Sequence, residues 1–131
     1  MIHPYGLSKT SQEHVSATTK IASEVALPNA ADVDLRGRFP IESMKALAEA
    51  GLYGLCLPHH LGGKGEGMRA FAGVVEELAG ACGSTAMVYV MHVTAAQAIA
   101  TSSLLADRDS ILREIACNPS PANGFTCRIH I

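Results

Sequence analysis

Residues 78–93, LAGACGSTAMVYVMHV, decide how this chain folds. Small residues come first, Ala79 to Ser84, and bulky ones follow, Met87 to Met91. No Asp, Glu, Lys or Arg occurs between Leu78 and Ala106. A helix made from this segment has no charged face to turn towards water, so it either crosses a membrane or is enclosed by protein. Residues 84–106 are long enough to span a bilayer, but Ser84, Thr85, His92, Thr94, Gln97, Thr101, Ser102 and Ser103 interrupt them. Alanine dominates the rest and gives little transfer energy. Burial in a globular protein is the better reading. Met87, Met91, Thr94 and Ala98 then share one face, Val88, Ala95 and Ile99 a second, and Tyr89, His92 and Ala96 a third. One face meets the neighbouring helices; the others call for more protein or for a ligand.

The rest of the chain fits a helical setting. Its 131 residues suit one domain, and a 48% hydrophobic content suffices for a core. Aromatic residues are few and Trp is absent, which favours packed Ala/Leu/Val helices over a β-sandwich. Net charge is −2 with no basic run, so no nucleic-acid footprint is indicated. The N-terminus MIHPYGLSKTSQEH has no apolar core of a signal peptide. Cys56, Cys82, Cys117 and Cys127 are scattered, as reduced thiols are, and an intracellular, cytoplasmic protein is expected.

Five helices are predicted. Thr10-Ser-Gln-Glu13 fits a capping box; Val15, Thr18, Ala22, Val25 and Ala26 follow at helical spacing. Pro28 should stop this helix, leaving residues 28–39 as a loop. Pro40 opens a second helix with Met44, Leu47 and Ala48 inward, and Gly51 ends it in the left-handed conformation. YGLCLP, residues 53–58, is a candidate extended segment, and HHLGGKGEG a loop. A third helix begins near Glu66 and presents Met68, Phe71, Val75, Leu78 and Cys82. The run Gly80 to Ser84 interrupts it. The uncharged helix follows, from about Ser84 to Leu105, and a shorter one, SILREIA, has Asp107 or Asp109 at its start. Asn118-Pro-Ser-Pro121 ends that helix, and NGFTCRIHI is a short strand or an irregular tail. The expected organisation is an all-α five-helix bundle over residues 1–117, then a Pro-rich break and tail over residues 118–131.

Motif searching yields little chemistry. GGKGEG lacks the spacing of a phosphate loop, since Gly65 follows Lys64. It also lacks that of a dinucleotide fingerprint, since the sixth position from Gly63 is Met68. A flexible turn is the plain reading. Cys56-x-x-His59 and Cys127-x-x-His130 are two pairs of possible zinc ligands. Cys56 lies between Leu55 and Leu57 as a core residue does, and no metal site is expected. His92 reads as a hydrogen-bonded core residue rather than a catalyst.

Three blocks in order, GRFPIESMKALAEAGLYGLCLP (37–58), GGKGEG (62–67) and VVEELAGACGSTAMVYVMH (74–92), resemble the amino-terminal helical domain of the acyl-CoA dehydrogenases. The resemblance covers about residues 15–116. Departures are the sequence His59-His60-Leu61, often acidic-acidic-aromatic in the family, and the ending CNPSPANGFTCRIHI. Family members are much longer: a β-domain and a terminal helical domain follow, hold most of the flavin (FAD) and supply the catalytic carboxylate. The resemblance therefore implies a fragment of a flavoprotein that oxidises acyl-CoA thioesters, with no catalytic residue of its own and not expected to bind FAD alone. Its partners would be the acyl-CoA substrate and the missing domains, on this chain or on another. A flavin-dependent monooxygenase on the same scaffold and a helical interaction module are the alternatives. The helix containing Met87, Val90, Met91 and Thr94 corresponds to a wall of the acyl-chain pocket, and plain core packing is the other explanation for these residues. Leaving that helix partly uncovered predicts self-association or homo-oligomers.

Overall fold

The computed structural model describes residues 5–117. Ser8 begins the first helix: its Oγ accepts the Ser11 N–H at 3.1 Å, ahead of the expected Thr10 box, and Glu13 stays exposed. Helix α1 spans Lys9–Ile21, a π-helical turn spans Ala22–Ala26, and α2 spans Leu27–Arg36. The expected stop at Pro28 does not occur. A proline in α-helical register removes one N–H and presses its ring on the carbonyl four residues back. Here the π turn lies directly before it, and the Leu27 N–H reaches the Ala22 carbonyl instead. The Asn29 amide then donates to the Val25 carbonyl at 2.8 Å. Most of residues 28–39, expected as loop, is therefore helical, ending at Gly37 with φ 58°. Arg38 fixes the corner beyond it by pairing with Asp32 at 2.6 Å and Glu42 at 3.0 Å.

Helix α3 spans Ile41–Glu49, with Pro40 at its N-cap, and Gly51 takes the left-handed conformation at φ 73° as expected. The segment after it is not extended. Leu52–Gly54 and His59–Leu61 are short 3-10 turns, and Leu52, Leu55, Leu57 and Leu61 are all buried. The steps between these leucines are three, two and four residues, an irregular spacing that suits a coiled path better than strict alternation. The glycine-rich loop folds back on this path. Gly63, Lys64, Gly65 and Glu66 donate their N–H groups to the carbonyls of Pro58, Gly54, Leu57 and Leu55, at 2.8–3.0 Å. Those donors are spent internally, which physically excludes a phosphate cradle.

Helix α4 spans Met68–Ala81, α5 spans Gly83–Thr101, and α6 spans Arg108–Cys117. The joint between α4 and α5 is a single extended residue, Cys82, with φ −155° and ψ 107°. Neither Gly80 nor Gly83 has a positive φ, and a Cβ at either would meet nothing. The small-residue run is thus not what allows the turn. Counting α1, the π turn and α2 as one continuous run, the described residues form five helical bodies and no strand. Val15, Met44, Leu47, Leu52, Leu55, Val74, Leu78, Tyr89 and Val93 make the main core. No helix among the described residues is long and apolar enough to cross a membrane. The tail of residues 118–131, with Cys127 and His130, lies outside the described residues.

Candidate functional site

Helix α5 is bound to the bundle along one edge. Thr85, Ala86, Tyr89, Val93 and Ala96 are buried. The Tyr89 hydroxyl donates to the Leu52 carbonyl at 2.7 Å. His92 Nε2 lies 3.3 Å from the Tyr53 carbonyl, so this nitrogen carries the proton and donates it. The His92 ring also stacks on Tyr53, with centroids 4.1 Å apart. One turn further, the Gln97 amide donates to the Cys56 carbonyl at 3.0 Å. His92 is therefore hydrogen-bonded as expected, but half-buried at the edge of the bundle rather than in the core. Apolar periodicity does not mark Tyr89 and Gln97 as anchors, although polar groups at this spacing on an uncharged helix are a legible signal.

The opposite side is open. Met87 and Met91 are each 63% exposed; Thr94, Ala95 and Ala98 are exposed, and Val90 is half-buried. Met87, Met91 and Thr94 thus lie together on one outward face, with Val90 at its margin. Met44, by contrast, is 2% exposed in the core.

Titratable groups near α5 are held in neutral forms. Burial pushes the Tyr89 phenol upward, with smaller contributions from Cys56 and Tyr53. Burial, with the Glu66 charge adding to it, raises the Cys56 thiol to about 11. Burial lowers His92, and its bond to the Tyr53 carbonyl opposes this only in part. At neutral pH these groups carry hydrogen bonds rather than charge, and the thiol is a poor nucleophile.

Two shallow depressions open elsewhere. One, of about 390 Å³, has Ser8, Ser11, Glu66, Met68 and Arg69 in its lining. There the Ser11 hydroxyl donates to Glu66 at 2.7 Å, and His14 Nε2 lies 3.6 Å from the same carboxylate. The other, of about 320 Å³, has Thr19, Ser23, Glu76 and Glu77 in its lining. Neither includes the Met87–Thr94 face. Each lining includes carboxylates, Glu66 beside Arg69 in the first and Glu76 with Glu77 in the second. Among the described residues no three His, Cys, Asp or Glu side chains cluster as metal ligands do.

The described residues thus form an all-α bundle in which a glycine loop leads through α4 into one uncharged helix, α5. The sequence profile described as "Acyl-CoA dehydrogenase, N-terminal domain" matches residues 8–117, and the chain belongs to that family. It is 34% identical over 90 residues to the probable acyl-CoA dehydrogenase YngJ of Bacillus subtilis, covering 69% of this chain and 24% of the relative. The acryloyl-CoA reductase (NADH) of Anaerotignum propionicum is 34% identical over 89 residues, covering 67% of this chain and 23% of the relative. The short-chain specific acyl-CoA dehydrogenase of Clostridium acetobutylicum is 31% identical over 75 residues, covering 57% and 20%. The alignments thus span a quarter or less of these relatives' lengths. No solved structure matches.

Proposed function

We propose that the outward face of α5, formed by Met87, Val90, Met91 and Thr94, is a wall of an acyl-CoA pocket in a larger FAD-dependent oxidoreductase. The remainder of that enzyme, with its flavin and its base, is supplied by further domains on the same polypeptide or on a partner chain. One observation carries the reading. Two methionines a helical turn apart are each 63% exposed on an uncharged helix whose other side is firmly anchored. Flexible thioethers adapt to an apolar chain of variable path. The wall contributes orientation and burial, and no proton transfer, because its side chains are thioethers, an alkyl group and a hydroxyl.

The test replaces the matching segment of the Bacillus subtilis relative with this chain and follows flavin absorbance as acyl-CoA is added without oxygen. The chimera should retain flavin and be bleached. Met91→Lys places an unpaired charge against the acyl chain and should weaken acyl-CoA binding by at least about tenfold. A flavin-loaded chimera in which Met91→Lys binds acyl-CoA as tightly as the parent overturns the reading.

A further inference from the structure

Rotation about its own axis is a problem peculiar to α5. The other α-helices carry an apolar stripe on one side, and burying that stripe fixes which way they face. On α5 apolar character is spread evenly around the circumference. Its inward set of Thr85, Ala86, Tyr89, Val93 and Ala96 is no greasier than Met87, Met91, Thr94 and Ala98 outside. Transfer of apolar surface therefore discriminates weakly between one rotation and another.

Hydrogen bonds do discriminate. Tyr89, His92 and Gln97 aim donors at the carbonyls of Leu52, Tyr53 and Cys56, at 2.7, 3.3 and 3.0 Å. All the acceptors are main-chain groups of one short stretch, residues 52–56, so the ladder depends on where that stretch runs and not on its side chains. Rotating α5 strips every rung together and leaves the buried Tyr89 hydroxyl and the half-buried His92 and Gln97 donors without these acceptors. We propose that Tyr89, His92 and Gln97 are positioning residues that set the rotation of α5 and so hold Met87, Met91 and Thr94 outward. That this face then meets an acyl chain rests on the preceding section; the rotation is testable on the chain itself.

The experiment uses the chain labelled with carbon-13 at the methionine methyl groups and a soluble gadolinium chelate, which relaxes exposed methyls. In the parent chain, Met87 and Met91 should relax with Met68, which is 58% exposed, while Met44, at 2%, is protected. The triple variant Tyr89→Phe, His92→Phe, Gln97→Leu keeps bulk and removes all the donors. Its Met87 and Met91 signals should broaden or split, with relaxation reduced by about twofold as inward rotations become populated. Met44 and Met68 should not change. A folded triple variant with the parent pattern overturns the proposal, because packing alone then sets the rotation. Should the triple variant unfold, the double variant Tyr89→Phe, Gln97→Leu is read the same way. Loss of fold in both overturns the proposal too, since a device that sets rotation leaves the apolar core intact. Failure here leaves the acyl-pocket test unaffected, and the reverse also holds.

Discussion

Met44 and Met91 are chemically identical and differ in what surrounds them, so truncating each to alanine separates core from open face. Met44 is 2% exposed among Leu47, Leu52 and Val74. Its replacement removes buried thioether and methylene groups and leaves a cavity, at a cost of about 2–5 kcal/mol. Met91 is 63% exposed. With full burial of a methionine worth about 1.5–3 kcal/mol, the covered third contributes roughly 0.5–1 kcal/mol. Alanine's better helix propensity returns a few tenths, roughly, of a kcal/mol. Met91→Ala should therefore destabilise by less than about 1 kcal/mol. Urea unfolding followed by far-ultraviolet circular dichroism measures both; Trp is absent, so fluorescence is a weak probe. Repeating the Met91→Ala measurement at low and high protein concentration reports whether copies cover the face. Equal losses for the two variants in dilute solution would refute the reasoning, because Met91 would then be enclosed by its own chain.

Gly63→Ala should destabilise strongly, by about 3 kcal/mol or more, because its Cβ would stand 2.1 Å from the Leu57 carbonyl oxygen; a parent-like thermal midpoint would show that the loop is free to move. Thr85→Val should stabilise by about 1 kcal/mol, since Thr85 Oγ1 is buried without a hydrogen-bond partner among the described residues; a comparable loss in the same urea assay would reveal a partner. His92 has a folded pKa below its ordinary value, so the unfolded chain binds more protons as pH falls through about 6.5. Its contribution to stability is therefore present at neutral pH, declines below about 6.5 and levels off once the folded pKa is passed. His92→Gln should flatten that part of the stability profile between about pH 5 and 7.5; identical pH dependence in both proteins would count against a buried neutral imidazole.

Much of this architecture was legible in the residues themselves. Apolar spacing placed α3, α4, α5 and α6, and the left-handed Gly51 was readable because a helix stop there needs a residue without a side chain. Pro28 misled because its local rule was overridden: a π turn in Ala22–Ala26 shifts the hydrogen-bond register just before the ring. Tyr53 to Pro58 misled because apolar runs between breakers look alike as strand or coil, and the leucine spacing that decides between them involves Leu61, outside the run. The run Gly80 to Ser84 does interrupt the helix, but through the single extended residue Cys82 and not through a positive φ at either glycine. At the candidate site, grouping Met87, Met91 and Thr94 on one face followed directly from helical periodicity. Which face turns outward did not, because an uncharged helix offers no amphipathic contrast. That information resides in Tyr89, His92 and Gln97 together with the path of residues 52–56, and only the folded chain brings the two together.

Dilute peroxide oxidation, followed residue by residue by mass spectrometry of peptides, most directly tests whether the α5 methionines stand open. Thioethers oxidise to sulfoxides according to their access to solvent. Met87 and Met91 should oxidise as fast as Met68, and Met44 at least about tenfold more slowly. If Met87 and Met91 are as protected as Met44 in dilute, monomeric protein, α5 is wrapped by its own companions and there is no free face for an acyl chain to meet.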